Sequence, residues 1–228
     1  MFWIPPRKRS LYDPVFANNT WAKIIKACQN KEVPDTWTVG SQKAMTINGT
    51  DYLIDIIGKN HDTYSDGSGT APRTFQMHDC YGELKAMNSS NTNSGSWARS
   101  KMRQMHLPAI LGQMPTEVQN GIQEVNKLTS AGSLSSTINT TSDKLFLLSE
   151  IEIFGSVGYS KSGEGTQYDY YKAGNSKRKN QPNGGGIPWW ERSPHGGNDT
   201  RFCRVGSDGD VSYNNASNQN YVAFAFCF

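Results

Sequence analysis

Two carboxylates in the middle of the chain have a spacing that could support acid–base catalysis. Glu150 and Glu152 stand two residues apart in a run of strand-forming residues. Alternate residues of a strand share one face, which separates such a pair by about 7 Å, a distance that suits an inverting glycosidase. Paired carboxylates on one strand are more often a solvated face, and we favour that interpretation.

Two further segments carry side chains that can bind metals. Residues 61–70 place Asp62 and Asp66 among glycines and hydroxyl groups, a composition shared by calcium loops, Asx turns and helix caps. The loop lacks the D-x-D-x-D-G spacing of a calcium-binding loop, so we expect a structural role for these residues. Neighbouring residues of His78-Asp79-Cys80 would point to opposite faces of a strand, so we expect His78 to be buried and hydrogen-bonded. We therefore predict no bound metal and no cofactor.

Neither the cysteine spacing nor the common catalytic motifs indicate catalytic chemistry. Four cysteines lie 52, 123 and 24 residues apart, without the C-x-x-C spacing of a zinc clamp or a redox couple. We expect free, mostly buried thiols. The chain also lacks a G-x-x-x-x-G-K-[ST] phosphate loop, a G-x-S-x-G nucleophile elbow and an H-E-x-x-H zinc motif. The sequence therefore predicts a protein that is not an enzyme.

The segment 195–221 has the composition of a recognition surface. Its 27 residues include five Asn, four Gly, three Asp and three Ser, with two Tyr and two Arg. Tyr and Arg supply contact area, whereas Asn, Ser and Gly supply adaptable hydrogen bonding. By composition alone, an ordinary surface loop would fit as well.

Alternation of side chains favours the recognition interpretation. Arg204, Gly206, Asp208 and Asp210 occupy one phase, so in an extended segment the larger polar groups would share a face. The side chains of the other phase would face the core and anchor the segment. Trp189-Trp190 before the segment and an aromatic strand after it would hold this face on packed core, which lowers the ordering cost of binding.

The elements that would position these residues begin with a helix and a hairpin. Apolar residues at i, i+3, i+4 and i+7 predict a helix from Thr20 to Asn30. Asn48-Gly49 predicts a two-residue turn between strands within residues 44–57, because this pair readily adopts positive φ.

Two more helices are predicted in the first half. Residues 97–106 place Met102 and Met105 on one apolar face. Residues 117–127 carry another apolar stripe, and Thr116 begins the spacing of a capping box.

Strands are predicted to dominate the second half. Residues 145–154 form a long apolar run rich in strand formers, and residues 222–228 are apolar on both faces of a terminal strand. Residues 156–188 carry little apolar sequence and are predicted to leave the core, with Lys177-Arg178-Lys179 exposed. Helices followed by strands predict the α+β class.

Length and charge limit the organisation and the partners. The 228 residues can bury one sizeable core, and we predict a basic lead-in over residues 1–17 and one domain over residues 18–228. A net charge of +3 lacks the single-sign field of a nucleic-acid binder. No run approaches the roughly 20 apolar residues of a membrane helix, and the N-terminal basic cluster follows its apolar stretch, the wrong order for a secretory signal. We expect neither nucleic-acid binding nor membrane insertion.

Six motifs carry a resemblance to a known group of proteins. They are Gly58-Lys-Asn-His-Asp-Thr63, Phe75-Gln-Met-His-Asp-Cys80, Leu107-Pro-Ala-Ile-Leu111, Leu145-Phe-Leu-Leu-Ser-Glu150, Trp189-Trp-Glu-Arg-Ser-Pro194 and Val222-Ala-Phe-Ala-Phe-Cys-Phe228. Together they resemble an uncharacterised domain of gut bacteria and their phages, itself similar to the C-type lectin fold in the branch shared with formylglycine-generating enzymes. Some of its members resemble the variable proteins of diversity-generating retroelements, which are hypermutated at adenine-rich, chiefly asparagine, codons near the C-terminus.

The resemblance implies an α+β, C-type-lectin-like fold in which residues 189–228 present a hypervariable surface to a protein or cell-surface ligand. Such a protein would be a phage tail-type receptor binder or a bacterial display protein, located on the virion or at the cell surface through a partner. Its scaffold would include Trp189, Trp190, Phe202, Cys203 and Val205. The ligand-binding residues would be His195, Asn198, Asp199, Arg201, Arg204, Gly206, Asp208, Asp210, Ser212, Tyr213, Asn214, Asn215, Asn218, Asn220 and Tyr221.

Two alternatives from other functional classes stay open. An oxidase of the formylglycine-generating type would act through Cys203 or Cys227, although those enzymes use closely spaced cysteines and these two are 24 residues apart. A calcium-dependent carbohydrate-binding module is the other, although its Glu-Pro-Asn and Trp-Asn-Asp motifs are absent. Its ion would be held by residues among Asp62, Asp66, Asp208 and Asp210.

Overall fold

The computed structural model describes residues 11–182 and 184–228, and these residues form a mixed fold of short helices and antiparallel sheets. Two five-stranded sheets carry most of the core. The predicted α+β class is confirmed. The first ten residues of the predicted lead-in lie outside the described residues.

The described residues contain six short α-helices and fourteen strands. The helices are α1 (Trp21–Gln29), α2 (Ser96–Arg99), α3 (Leu107–Leu111), α4 (Thr116–Gly121), α5 (Glu150–Phe154) and α6 (Asp169–Lys172), with a 3-10 turn at Phe16–Asn18 and a π-helix at Met102–His106. The strands are β1 (Gln42–Ile47), β2 (Thr50–Gly58), β3 (Thr74–Met77), β4 (Tyr81–Ala86), β5 (Val125–Ser130), β6 (Ile138–Asp143), β7 (Leu145–Phe146), β8 (Lys179–Asn180), β9 (Gly186–Ile187), β10 (Trp189–Pro194), β11 (Arg201–Val205), β12 (Val211–Asn215), β13 (Gln219–Val222) and β14 (Ala225–Cys227).

The first sheet has the strand order β1-β2-β3-β14-β7, with antiparallel pairing throughout. Its β14 lies between β3 and β7, so both edges of this strand are hydrogen-bonded. Residues 222–228 are all buried, which confirms that the final apolar run lies within the core. Phe75 on β3 joins this run to the helices, because its ring lies 5.5 Å from that of Phe226 and 6.2 Å from that of Trp21.

The second sheet has the strand order β12-β11-β10-β13-β4, and β10 occupies its centre. The β10–β13 pair is parallel, and the other pairs are antiparallel. All six residues of β10 are buried. The hairpin of β5 and β6 packs beside β10, since the Arg192 side chain donates to the carbonyl oxygen of Leu128 at 3.0 Å.

The first two predicted elements are confirmed. The helix α1 begins after Thr20, whose hydroxyl accepts a hydrogen bond from the backbone N–H of Lys23 at 3.3 Å. The hairpin of β1 and β2 turns at Asn48 and Gly49, with φ values of 48° and 75°. Positive φ at both positions is the backbone that a two-residue hairpin requires.

The predicted helix over residues 117–127 is wrong in its second half. The helix α4 ends at Gly121, and β5 begins at Val125 and pairs along its length with β6. Thr116 makes no capping box, because Pro115 holds the cap position without a side-chain hydrogen bond. A Cβ at Gly121 would lie 2.8 Å from the side chain of Ile25, so glycine allows α4 to pack closely on α1. Strand pairing therefore overrides the helical period.

The predicted helix over residues 97–106 is broken. The helix α2 stops at Arg99, and Ser100 has extended backbone, with its hydroxyl donating to the carbonyl oxygen of Trp97 at 2.9 Å. A π-helix then leads into α3. This change of period buries Met102 but leaves Met105 59% exposed, so the predicted common face is wrong.

Two predictions for the second half are corrected. Residues 145–154 contain only the short strand β7, after which Ser149 and Glu152 form a capping box that starts α5. The S-x-x-E spacing was a visible signal for this helix. Residues 156–188 contribute to the core through Tyr168 and Tyr171, and Lys179 is buried rather than exposed.

The predicted free, buried state of the thiols is confirmed, since all four cysteines are free and buried. Among the described residues, no helix has the length and apolar character needed to cross a membrane.

We expect Phe75→Ala to lower the free energy of unfolding by about 3–5 kcal/mol, because truncation leaves a cavity among packed rings. Leu84→Ala is the control, since Leu84 is 44% exposed and its loss should cost less than about 0.5 kcal/mol. Urea unfolding at neutral pH measures both values. Equal losses would contradict the role of Phe75 at the centre of the core.

Candidate functional site

The predicted recognition segment is attached to the central strand of the second sheet. In β10, Trp190 lies opposite Arg204 of β11, and Trp189 lies opposite Tyr221 of β13. The indole N–H of Trp190 donates to the carbonyl oxygen of Lys85 at 2.8 Å. The buried strand therefore fixes the position of both neighbouring strands.

The strands β11 and β12 form a hairpin, and β12 is the edge strand. Residues 206–210 make the turn, in which the N–H of Gly206 donates to the carbonyl oxygen of Asp210 at 2.8 Å. The predicted common face of Arg204, Gly206, Asp208 and Asp210 is wrong, because the chain reverses direction at this point instead of continuing as one extended segment.

On one face of the hairpin, Arg201 and Tyr213 meet Tyr159 from the loop after α5 and His195 from the end of β10, and we call these four side chains the aromatic–cation cluster. The Arg201 guanidinium lies 4.6 Å from the ring centre of Tyr213. The rings of Tyr159 and His195 lie 4.7 Å and 4.9 Å from the same ring. Partial burial, together with the charge of Arg201, lowers the pKa of His195. The cluster thus combines a permanent cation with three aromatic rings.

The opposite face carries a polar group that we call the amide face: Arg204, Ser212, Asn214 and Asn220. Arg204 donates to the Ser212 hydroxyl at 3.2 Å and to the Asn220 side-chain oxygen at 2.7 Å. Asn218 donates to the Asn214 side-chain oxygen at 2.8 Å. Arg201 and Arg204 are three residues apart on one strand, which puts them on opposite faces.

The predicted ligand-binding residues differ in exposure. Asp199, Asp208, Asp210 and Asn218 are exposed, whereas Gly206 and Asn220 are buried. Burial of Asn220 conflicts with its predicted display. The other nine are half-buried: His195, Asn198, Arg201, Arg204, Ser212, Tyr213, Asn214, Asn215 and Tyr221. The five predicted scaffold residues are all completely buried, as expected: Trp189, Trp190, Phe202, Cys203 and Val205.

Two residues that position this surface were missed in the sequence. The buried Asn93 side chain donates to the carbonyl oxygens of Asn198 and Arg201, both at 2.9 Å, and accepts from the N–H of Ser133 at 2.7 Å. Tyr159 completes the aromatic–cation cluster from the segment predicted to leave the core. Asn93 stands in a polar stretch with several Asn and Ser residues, and no local pattern distinguishes it from them.

A buried ion network holds β10 against the rest of the fold. Arg192 donates to both carboxylate oxygens of Glu152, at 2.5 Å and 2.9 Å. The Lys127 ammonium lies 2.8 Å from Glu152 and 2.7 Å from Asp62. Tyr168 donates to Asp62 at 2.9 Å. Two cations therefore balance two carboxylates in the interior, which is the condition under which buried charges can be stable.

The electrostatics of this network favour ionised carboxylates. Burial alone would raise the pKa of Asp62 and Glu152. At Asp62 the charge of Lys127 and the hydrogen bonds from Lys127 and Thr74 together outweigh burial, and at Glu152 the charges of Arg192 and Lys127 and the hydrogen bond from Arg192 do so. The pKa of each carboxyl therefore lies below its ordinary value. The predicted solvated strand face at Glu150 and Glu152 is wrong, because both residues are buried on α5.

The two segments that carry metal-binding side chains, residues 61–70 and 78–80, have different environments. Asp66 is exposed and accepts from the N–H of Ser68 at 2.8 Å, which confirms an Asx-type turn in the loop. His78 makes the predicted hydrogen bond, with Asp55 at 2.9 Å, but it is only half-buried. The hydrogen bond to Asp55 raises the pKa of His78 despite its partial burial.

Within the described ranges, two groups of side chains have the proximity needed for a metal. They are His61 with Asp62 and Glu152, and Glu150 with Glu191 and Cys203. In the first group, the Lys127 ammonium already lies between the two carboxylates. Neither group contains Asp66, Asp208 or Asp210, so the aspartates named for a calcium site are not brought together.

The environments of the thiols oppose thiolate chemistry. Burial raises the pKa of Cys28 and Cys80 to about 12. It raises the pKa of Cys203 and Cys227 well above the ordinary value as well. Cys203 is on β11 of the second sheet, whereas Cys227 is on β14 of the first sheet.

The fold and the surface define a mixed α and β domain with an edge hairpin that carries a polar and aromatic surface. Residues 71–227 match the family described as Domain of unknown function (DUF6273), and the chain belongs to this family. No curated protein and no solved structure matches the chain.

We expect Lys127→Met to lower the free energy of unfolding at pH 7 by about 3–5 kcal/mol, because it leaves buried carboxylates without their cation. The ordinary pKa values of Asp62 and Glu152 are 3.8 and 4.5. Since their folded pKa values are lower, the network of the wild type keeps its stabilisation until the pH falls below these values. In the variant, burial without the Lys127 cation raises the pKa of both carboxyls, so they take up protons and lose their uncompensated charge as the pH falls from 7 to about 4. The deficit of the variant should therefore shrink over this range.

Urea unfolding at both pH values measures this deficit, with exposed Lys23→Met as the control. The control should change stability by less than about 0.5 kcal/mol. A deficit that stays constant or grows on acidification would rule out relief of uncompensated negative charge as its cause.

Proposed function

We propose that this protein is a non-enzymatic binding protein that presents the β11–β12 hairpin and its flanking loops to a protein or cell-surface ligand. The finer description of its fold, a C-type-lectin-like domain similar to the variable proteins of diversity-generating retroelements, belongs to the same proposal. The motif resemblance supports that description. Attachment to a phage tail or display on a bacterial surface would follow from it.

The observation that carries the proposal is the contrast between a buried framework and a half-buried surface on the same hairpin. Phe202, Cys203 and Val205 of β11 are completely buried. Arg201 and Arg204 on the same strand reach the surface, as does Tyr213 across the hairpin. A surface held by a rigid core binds with a smaller loss of conformational freedom than a mobile loop does.

The aromatic–cation cluster is the part of this surface best suited to recognise a protein. Tyrosine and arginine are enriched among the residues that dominate interface energy. Here Arg201 and Tyr213 already contact each other, and the ring of Tyr159 packs against that of Tyr213. The amide face adds hydrogen-bonding groups that can adapt to different partners.

The surroundings of the cysteines and the aspartates count against the two alternatives. An oxidase of the formylglycine-generating type needs reactive, neighbouring thiols, whereas Cys203 and Cys227 are buried in different sheets. A calcium-dependent carbohydrate module needs converging oxygen ligands. Here the Asp62 carboxylate is paired with the Lys127 ammonium, and Asp208 lies apart from it in the hairpin turn.

A displayed library tests whether the surface can change without loss of the fold. Six positions would be randomised together: Arg201, Arg204, Ser212, Tyr213, Asn214 and Asn215. We expect protease-resistant display of most variants, because replacement of surface side chains usually changes stability by less than about 0.5 kcal/mol. Selection with purified lysozyme as the test ligand should then yield binders.

The control library would randomise four buried residues of the same sheet: Trp190, Phe202, Cys203 and Val205. Its members should lose protease resistance, because core residues cannot change volume freely. The proposal fails if the surface library loses its fold as often as this control, or if repeated selection recovers no lysozyme binder.

A DNA sequence tests the retroelement part of the proposal. We expect a near-copy of the DNA that encodes residues 189–228, differing only at adenines, beside a reverse-transcriptase gene in the source genome. Sequencing the flanking DNA checks this directly. A complete locus without such a copy would contradict hypervariability by this route and leave the binding surface to be judged by the library.

A further inference from the structure

A buried cluster lies under the hairpin, outside the proposed binding surface. It consists of Glu150 on α5, Glu191 on β10 and Cys203 on β11, all completely buried. Their ligand atoms lie within 4.8 Å of one another. The loop of residues 158–160 covers Glu150, so the cluster is enclosed between the helix, the sheet and this loop.

Glu150 accepts most of its hydrogen bonds at one carboxylate oxygen. Its Oε2 accepts from the N–H groups of Gly158 and Ser160 at 3.0 and 2.8 Å and from the Ser160 hydroxyl at 2.7 Å. The N–H of Tyr159 is shared between the two oxygens, at 2.9 Å from Oε1 and 3.0 Å from Oε2. The Oε1 atom therefore keeps a lone pair for a further ligand, because a carboxylate oxygen can accept more than one such bond.

Glu191 differs from Glu150, because neither of its carboxylate oxygens has a hydrogen-bond partner within residues 11–182 and 184–228. Both atoms are buried, and the carboxylate reaches into the space that it shares with Glu150 and Cys203. Leaving a buried polar group without a partner is costly, and such groups in a folded protein need an explanation.

The cation beside Glu191 in sequence is already committed elsewhere. Arg192 donates to both oxygens of Glu152, to the carbonyl oxygens of Leu147 and Leu128, and to the Thr129 hydroxyl. It is therefore not available to pair with Glu191. The cluster holds two carboxylates and a thiol without a protein cation of its own.

We propose that Glu150, Glu191 and Cys203 form a structural binding site for a divalent transition-metal ion of the zinc type. Zinc binds carboxylate oxygen and thiolate sulfur in tetrahedral sites, whereas calcium takes oxygen ligands and does not suit the cysteine. The ion would pair the orphan Glu191 carboxylate, neutralise Glu150, and tie α5 to β10 and β11. Binding releases the protons of the Cys203 thiol and the Glu191 carboxyl to solvent and leaves a thiolate and a carboxylate as ligands.

The spacing fits such an ion after a small contraction. Zinc bonds of about 2.0–2.3 Å in a tetrahedral site place ligand atoms roughly 3.5 Å apart. The ligand atoms of the three residues are no more than 4.8 Å apart. Side-chain rotations that move them by about 1 Å are therefore sufficient to bring them to the zinc distances. The full enclosure of the site implies that the ion enters while the chain folds.

The test refolds the full chain with and without the metal. The protein would be unfolded in guanidinium with chelator, freed of chelator, and refolded with Zn²⁺ or Co²⁺. Metal content by mass spectrometry and the Co²⁺ absorption spectrum would then be recorded. We expect one ion per chain and a sulfur-to-cobalt charge-transfer band, and we expect both to be lost in Glu191→Gln and in Cys203→Ala.

The matched control is Cys80→Ala, because Cys80 is a free and completely buried cysteine outside the cluster. It should keep both the ion and the charge-transfer band. Refolded wild-type protein without a tightly held ion would overturn the proposal. Retention of the ion in the two cluster variants, or its loss in the control, would overturn it too.

A second variant keeps the test decisive if the first two fail to fold. In chelator, Glu191→Leu should melt at a higher temperature than the wild type, since it replaces an unpartnered buried carboxyl with an apolar group. Zn²⁺ present during refolding should raise the melting temperature of the wild type but not that of Glu191→Leu. Equal zinc responses would contradict the proposed site. These results do not depend on the proposed ligand-binding function, which the display library tests separately.

Discussion

The buried pairing of Glu152 with Arg192 and Lys127 is the interaction on which the arrangement of this protein depends. Arg192 belongs to the central strand of the second sheet, Glu152 to α5 and Lys127 to β5. Lys127 in turn binds Asp62, which precedes the first sheet's β3. One chain of alternating charges thus joins both sheets through a helix and a hairpin. Because each buried charge needs its partner at close range, the network permits little relative movement of these elements.

This constraint explains how an edge hairpin can carry a polar surface without loosening the core. The network fixes β10, and β10 holds β11 through the pairing of Trp190 with Arg204. Asn93 fixes the preceding loop through backbone carbonyl oxygens and makes no use of that loop's side chains. Anchoring through the backbone leaves the side chains of the loop free to differ. We therefore expect the framework and the proposed binding surface to tolerate change independently.

The same region also shows that burial of a polar group is not by itself a sign of stability. Glu152 is paired with two cations, Lys127 and Arg192. Glu191 is the neighbour of Arg192 in β10, but its carboxylate has no hydrogen-bond partner among the described residues. Burial and the nearby charges of Glu150 and Glu164 raise the pKa of Glu191 well above its ordinary value. Glu152 thus belongs to a network in which the charges are paired, whereas Glu191 is a buried carboxyl that still needs a partner.

The sequence by itself determined the elements that depend on local chemistry. Thr20 capped its helix, Asn48-Gly49 formed its turn, and the apolar faces of residues 222–228 were buried as expected. Only the tertiary structure decided whether Val125 extended a helix or started a strand, since pairing with β6 outweighed the helical period. It also decided that Arg201 and Arg204 lie on opposite faces and that Asn93 and Tyr159 support the surface. These relations join residues far apart in the chain, and no local pattern of side chains encodes the distance between them.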